Sequence, residues 1–201
     1  MSPSLRMSDS STGVRTSRCH ASVVLLATLV VTLACRHESK FAQAQDHATL
    51  QVESSSFTGG SIPSRFTCDG AGISPALKWS APPAGTESLA IIVHDPDAPI
   101  DFLHWIVFDI PPGIRSLAEG ASTQGAMPQG AMEGTNDFGS RGYGGPCPPG
   151  GRPHRYRIHV YALDARFGLP PGASRRQLES AMDGHILAEG EIVGVYRRAG
   201  Q

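Results

Sequence analysis

A chain of 201 residues has room for one domain and a targeting segment. Apolar residues make up 40 % of it and charged residues 17 %, which excludes a disordered chain and a membrane bundle. Lys and Arg number 17 against 18 Asp and Glu, and no basic stripe interleaved with aromatics occurs, so no nucleic-acid partner is expected. With 23 glycines and 16 prolines the chain spends many residues on turns, which favours short strands over long helices.

The first 20 residues are rich in Ser and Thr and carry Arg6, Arg15 and Arg18. An uncharged run, ASVVLLATLVVTLAC, follows from Ala21 to Cys35. It is shorter than the about 20 residues a membrane-spanning helix needs and sits behind a basic segment, so it reads as an export signal rather than a core helix. Two processing sites compete. Leu33-Ala34-Cys35 resembles a bacterial lipoprotein signal, with Cys35 as the lipidated residue, although Thr32 and Leu33 depart from the usual pattern. Ala42-Gln43-Ala44 is an A-x-A site, preceded by an unusually charged stretch of Arg36, His37, Glu38 and Lys40. The lipoprotein reading is favoured. It divides the chain into a signal segment over 1–35 (or cleavage after 44), a flexible tether over 36–49 and a domain over 50–201. The expected location is periplasmic or membrane-anchored, with membrane contact only through the lipid.

Of the four cysteines, Cys19 leaves with the signal and Cys35 is lipidated or removed. Cys68 and Cys147 remain, both in Gly/Pro-rich loops (FTCDG and GGPCPPGG), in a compartment where disulfides persist. Two readings stand: a Cys68–Cys147 bond, worth roughly 4 kcal/mol in the chain-entropy model, or two separate loop thiols. No C-x₂-C or paired-His spacing accompanies them, so neither a metal nor another cofactor is expected.

Beyond Thr49, short apolar runs alternate with Gly/Pro turns at a spacing that suits a β-sandwich. Leu89 to His94 is continuous and β-branched, which predicts a central strand buried on both faces and ended by Asp95-Pro96. His104 to Ile110 predicts a second strand, stopped by Pro111-Pro112-Gly113. Arg155 to Tyr161 alternates charged with apolar residues, predicting a third strand with one inward face. Ile192 to Tyr196 supplies a last one. A single helix is predicted from Arg175 to Met182, with Ser174 as N-cap and Gly184 beyond its end. The segment from Leu117 to Gly151 is long, glycine-rich and aperiodic, which marks it as functional.

Polar residues gather at the strand ends. Asp95 and Asp97 lie in DPDAP after the first strand, His104 opens the second, and His154 and Tyr156 open the third. In a sandwich these ends can meet at one pole. A carboxylate, two imidazoles and a phenol suit a phosphate or similar anion, the carboxylate orienting an imidazole and the others donating to oxygens. Gly144, Gly145 and Pro148 would let backbone approach a ligand closely. Asp97 reads as a loop-holding side chain, and Asp95 before Pro is equally a turn residue. His94 and His185 read as packing or surface residues, and His159, in the same alternating strand and register as Arg155 and Arg157, as solvent-facing. No G-x-S-x-G elbow, H-E-x-x-H, P-loop or dinucleotide fingerprint is present, so no enzyme activity is expected.

The strings Ser74-Pro75-x-Leu77-x-Trp79, Pro83-Ala84-Gly85-Thr86, DPDAP at Asp95–Pro99 and His104-Trp105 occur in order. They continue with Gly134-Thr135-Asn136-Asp137-Phe138-Gly139, Gly142-Tyr143-x-Gly145-Pro146-Cys147-Pro148-Pro149, His154-Arg155-Tyr156 and Gly184-His185-Ile186-Leu187-Ala188. Together they resemble the phosphatidylethanolamine-binding protein (PEBP) family, in its bacterial Raf-kinase-inhibitor-like branch, across about residues 52–198. The resemblance implies a mainly β fold, an antiparallel sandwich of a large and a small sheet with one or two short helices. It also implies a shallow anion pocket lined by Asp95, His104, His154 and Tyr156. A cis bond before Pro99 is implied too, in the loop that Asp97 and Pro99 shape.

Three functions follow as expectations. The first is binding of a small phosphate-bearing ligand such as a phospholipid head group. The second is a protein-interaction or inhibitor module acting on an envelope protease or kinase, with an apolar patch near Leu117–Gly139. The third, weakest, is hydrolysis of small esters with His104 or His154 as base.

Overall fold

The computed structural model describes residues 47–57 and 59–199; the expected signal segment, Cys19, Cys35 and both processing sites lie outside them. Among these residues two sheets and one α-helix form the fold. The large sheet runs in the order β1 (Ala48–Thr49), β9 (Ile186–Tyr196), β8 (His154–Leu163), β4 (Ser88–Asp95), β5 (Phe102–Ile110), β7 (Met132–Glu133). The small sheet joins β2 (Val52–Glu53), β3 (Leu77–Trp79) and β6 (Ser116–Leu117). The fold is mainly β, as the sequence implied.

Every residue of β4 is buried. The alternation of a strand explains how an uninterrupted apolar run is used. Leu89, Ile91 and Val93 enter the core shared with Leu77, Trp79 and Leu117 of the small sheet. Ala90 and Ile92 face the other way, into a cluster with Leu178 and Met182. Those two residues belong to α1 (Arg175–Met182), whose predicted bounds are met. Ser174 accepts from the Gln177 amide while the Gln177 side chain accepts from the Ser174 amide, a complete capping box.

β8 shows the expected one-sided pattern: His154, Tyr156, Ile158 and Val160 are buried, while Arg155 and Arg157 are exposed. Three expectations are corrected. β9 begins six residues before Ile192, because the short alternation Ala188-Glu189-Gly190-Glu191 extends the ladder to Ile186. Gly190 fits there because a Cβ would stand 2.2 Å from the Leu50 carbonyl oxygen. Ala48 and Thr49, placed in the tether, pair in parallel with Ala188 and Glu189. Finally, all peptide bonds among the described residues are trans, Ala98–Pro99 included.

The chain order of β5 carries the feature that matters most for the site. Val93 pairs with Trp105, but the next residue, His94, pairs with Leu103, so His104 is an extra residue in β5. This is a β-bulge, which breaks the alternation and re-aims one side chain.

Candidate functional site

Asp95 is the last residue of β4 and is 3 % exposed. Its Oδ1 accepts from the amides of Asp97 (2.9 Å) and Ala98 (3.2 Å), curling the DPDAP loop around it. Its Oδ2 accepts from His154 Nδ1–H at 2.8 Å. Both alternatives read for Asp95 therefore hold: it shapes the turn and orients an imidazole. Because a carboxylate only accepts, the Nδ1 of His154 carries a proton and Nε2 is the ring atom left over. His154 is 2 % exposed, at the start of β8.

His104 donates from Nδ1–H to the Gly144 carbonyl at 2.8 Å, and the Gly144 amide donates back to the His104 carbonyl. Its Nε2 is likewise left over. Burial lowers its pKa below the ordinary histidine value, against the opposing Gly144 hydrogen bond and the Asp95 charge. It is therefore a neutral imidazole at neutral pH. Tyr156 packs edge-on against it, ring centroids 5.1 Å apart. Burial, then the charge and close approach of the Asp95 carboxylate, raises the Tyr156 pKa, so the phenol keeps its proton. Its hydroxyl is buried and, among the described residues, is the one such side-chain polar atom without a hydrogen-bond partner.

These groups line a pocket of about 190 Å³ together with Ala98, Pro99, Phe102, Phe138, Cys147, Pro148 and Pro149. At about 30 Å³ per water, that is room for some six waters. Of the predicted residues, Asp95, His104, Pro148, His154, Tyr156 and Pro99 meet there. Gly145 does not. It belongs to an adjoining depression with Cys68, Asn136 and Tyr143, and a Cβ on it would meet the Phe66 carbonyl oxygen at 2.8 Å. The missing side chain lets this loop pack directly on the Phe66–Thr67 backbone. Gly144 is similar, since a Cβ would stand 2.4 Å from the Phe138 ring. Asp97 takes both arms of the Arg155 guanidinium (2.9 and 2.7 Å) and the Arg155 amide (2.9 Å), tying the loop to β8. That guanidinium holds the Asp97 carboxyl well below the usual range.

Phe102 and Phe138 were missed by sequence reasoning. Phe138 is 49 % exposed, and its ring meets those of Phe102 (4.8 Å) and His104 (5.5 Å). The available signal was an aromatic in the long aperiodic loop. The Cys68–Cys147 disulfide is present, Cα atoms 5.4 Å apart across a sequence separation of 79. It fastens the 144–150 loop, including pocket residues Pro148 and Pro149, to the turn after Phe66.

The sequence model described as "Phosphatidylethanolamine-binding protein" matches residues 53–197. The UPF0098 protein of Methanothermobacter thermautotrophicus is 49 % identical over 140 residues, covering 69 % of this chain and 92 % of that one. The UPF0098 protein of Aquifex aeolicus is 49 % identical over 155 residues, covering 75 % and 90 %. Among solved structures, a PEBP homologue of Chlamydia trachomatis shares 40 % identity with a TM-score of 0.67, over 75 % of this chain and 98 % of that one. YbcL of E. coli, described as a member of the mammalian PEBP family, shares 36 % with a TM-score of 0.70, over 75 % and 99 %. The chain belongs to the phosphatidylethanolamine-binding protein family.

Proposed function

We propose that this protein binds a small phosphate-bearing ligand, such as a phospholipid head group, in the Asp95–His104–His154–Tyr156 pocket. The observation that carries the reading is the Tyr156 hydroxyl: a buried donor that makes no hydrogen bond of normal geometry, its nearby acceptor Asp95 being taken by two amides and His154, beside two imidazoles whose Nδ1 protons are already committed. A donor left unmatched in the interior costs about 1–3 kcal/mol, and an anionic oxygen removes that cost. A monoprotonated phosphate complements the set. It accepts from the phenol and gives its own P–O–H to an imidazole Nε2. The pocket's volume suits a phosphoryl group with a few further atoms rather than a larger metabolite.

Nothing in the lining supplies a nucleophile held by a base, so binding rather than turnover is the reading. The protein is proposed to work outside the cytoplasm, anchored through Cys35. The Cys68–Cys147 bond supports this, since such bonds persist where the surroundings are oxidising.

Calorimetric titration with phosphoethanolamine and with inorganic phosphate tests the pocket. His154→Ala should weaken either ligand about 10- to 100-fold, the worth of a hydrogen bond to a charged group. Absence of heat with both ligands, on protein whose folding is verified by near-UV dichroism, removes the reading and leaves the protein-partner alternative.

A further inference from the structure

The opposite face of the large sheet carries a second group of histidines, unrelated to the pocket. His94 and Ile92 project from β4 to the side away from Asp95, and His159 of β8 stands opposite Ile92 on one flank and Glu191 of β9 on the other. His159 was expected to face solvent. It is instead half-buried, stacked on Tyr161 with centroids 5.8 Å apart. His94, 9 % exposed, turns its Nε2 toward the Nε2 of His159 at 3.3 Å.

We propose that His94 and His159 form a binding site for a divalent transition-metal ion of the zinc class, with Glu191 as third ligand and water completing the shell. Three features carry this. First, two nitrogens on a tetrahedral zinc ion, each about 2.0–2.1 Å from the metal, stand about 3.3–3.4 Å apart. The observed separation of 3.3 Å, now spanned by a hydrogen bond between the two Nε2 atoms, matches that spacing, and the ion would replace the shared proton with a modest turn of the rings.

Second, the tautomer of His94 is already the ligating one. Its Nδ1–H donates to Asp101, which is itself held by Arg175 at 2.9 Å, so the lone pair lies on the Nε2 that faces His159. A carboxylate behind a ligating imidazole fixes the ring and raises its basicity, the usual outer support of a zinc-bound histidine. His159 needs only to carry its proton on Nδ1, which leaves both Nε2 lone pairs free and requires no net proton loss.

Third, Glu191 is at hand. Its Oε2 lies 3.7 Å from His159 Nε2. The carboxylate also accepts from Arg157 at 3.0 and 2.7 Å. A carboxylate has lone pairs for both, so a small rotation brings Oε2 onto the ion while Arg157 stays bonded. Among the described residues no three His, Cys, Asp or Glu side chains are placed to hold a metal ion as they stand, so Glu191 must move to complete the set. The site is thus a preformed two-histidine pair on adjacent strands that recruits its third ligand, and its affinity should be micromolar rather than that of a closed structural zinc site.

The test uses full-length, untagged, chelator-treated protein and Zn²⁺ in competition with a chromophoric indicator. The N-terminal segment adds His and Cys of its own, so the readout is a difference. The double variant His94→Asn/His159→Asn should bind one equivalent less than the parent, while His185→Asn loses nothing. Asp101→Asn should keep the equivalent and weaken it about 10- to 100-fold. Equal stoichiometry and affinity in parent and double variant would overturn the proposal. Should the double variant fail to fold, long-range ¹⁵N–¹H spectra of the parent decide. Zn²⁺ must shift the Nε2 signals of His94 and His159, and shifts confined to other histidines overturn the site.

Discussion

Tyr156→Phe removes one oxygen and separates the two costs that the pocket balances. In the free protein the phenol is buried, 1 % exposed, with its hydroxyl unbonded. Loss of that oxygen should relieve part of the about 1–3 kcal/mol that an unsatisfied buried group costs. Phe also fits the same apolar bed, formed by Ile62 and Phe66. We expect the variant to be more stable by about 1 kcal/mol, or about 3 °C in Tm for a domain of this size. With ligand the sign reverses. The lost donor to an anionic oxygen is worth about 1.5–3 kcal/mol, so phosphate should bind about 10- to 100-fold more weakly. Urea unfolding gives the first quantity and calorimetric titration of the same samples gives the second. A variant that is destabilised and yet binds phosphate as tightly as the parent would refute the argument, because its hydroxyl would then have served the fold and not the ligand.

Sulfate, which cannot bring a proton of its own, should bind weakly at pH 7.5 and progressively better toward pH 5.5, as His104 gains an Nε2–H; a sulfate affinity flat across this range would count against His104. The ligand-free protein should behave oppositely. Burial lowers the pKa of both His104 and His159, so the unfolded chain takes up protons first and stability falls as pH drops below about 6.5; Tm measured from pH 7.5 to 5 checks the sign. Asp95→Asn removes a buried charge that accepts from two loop amides and His154, and should cost about 2–4 kcal/mol in urea unfolding along with most phosphate affinity. Replacing Cys68 and Cys147 by Ser opens a loop spanning a separation of 79 residues and should cost about 4 kcal/mol, near 10 °C in Tm.

Much of this architecture is written in runs long enough to show a period. The Leu89–His94 run and the Ser174-capped helix could be placed because continuous burial and capping chemistry are local properties. The small sheet could not, since β2 and β6 are two residues each and exist only through their pairing with β3. The pocket was legible in its polar members because they stand at strand ends beside Gly/Pro loops. What placed His104 among them was not legible: a one-residue slip against β4, visible only in the pairing register. The error at His159 has the same origin. Alternation correctly put it on the outer face, but the His94 side chain and Tyr161 that cover it come from pairing and packing.

The short parallel pairing of β1 with β9 sets a constraint on when the molecule can fold. Ala48 meets Ala188, and Leu50 donates to the carbonyl of Glu189, so the first described strand waits for residues about 140 positions later. β9 also supplies one whole flank of β8, which lies between it and β4. A growing chain released only as far as β8 would present an open strand edge and no partner for its own beginning. Contacts of such sequence separation are slow to form and leave partly folded chains prone to association. The sheet therefore closes only once β9 is available to pair with both β8 and the first described strand.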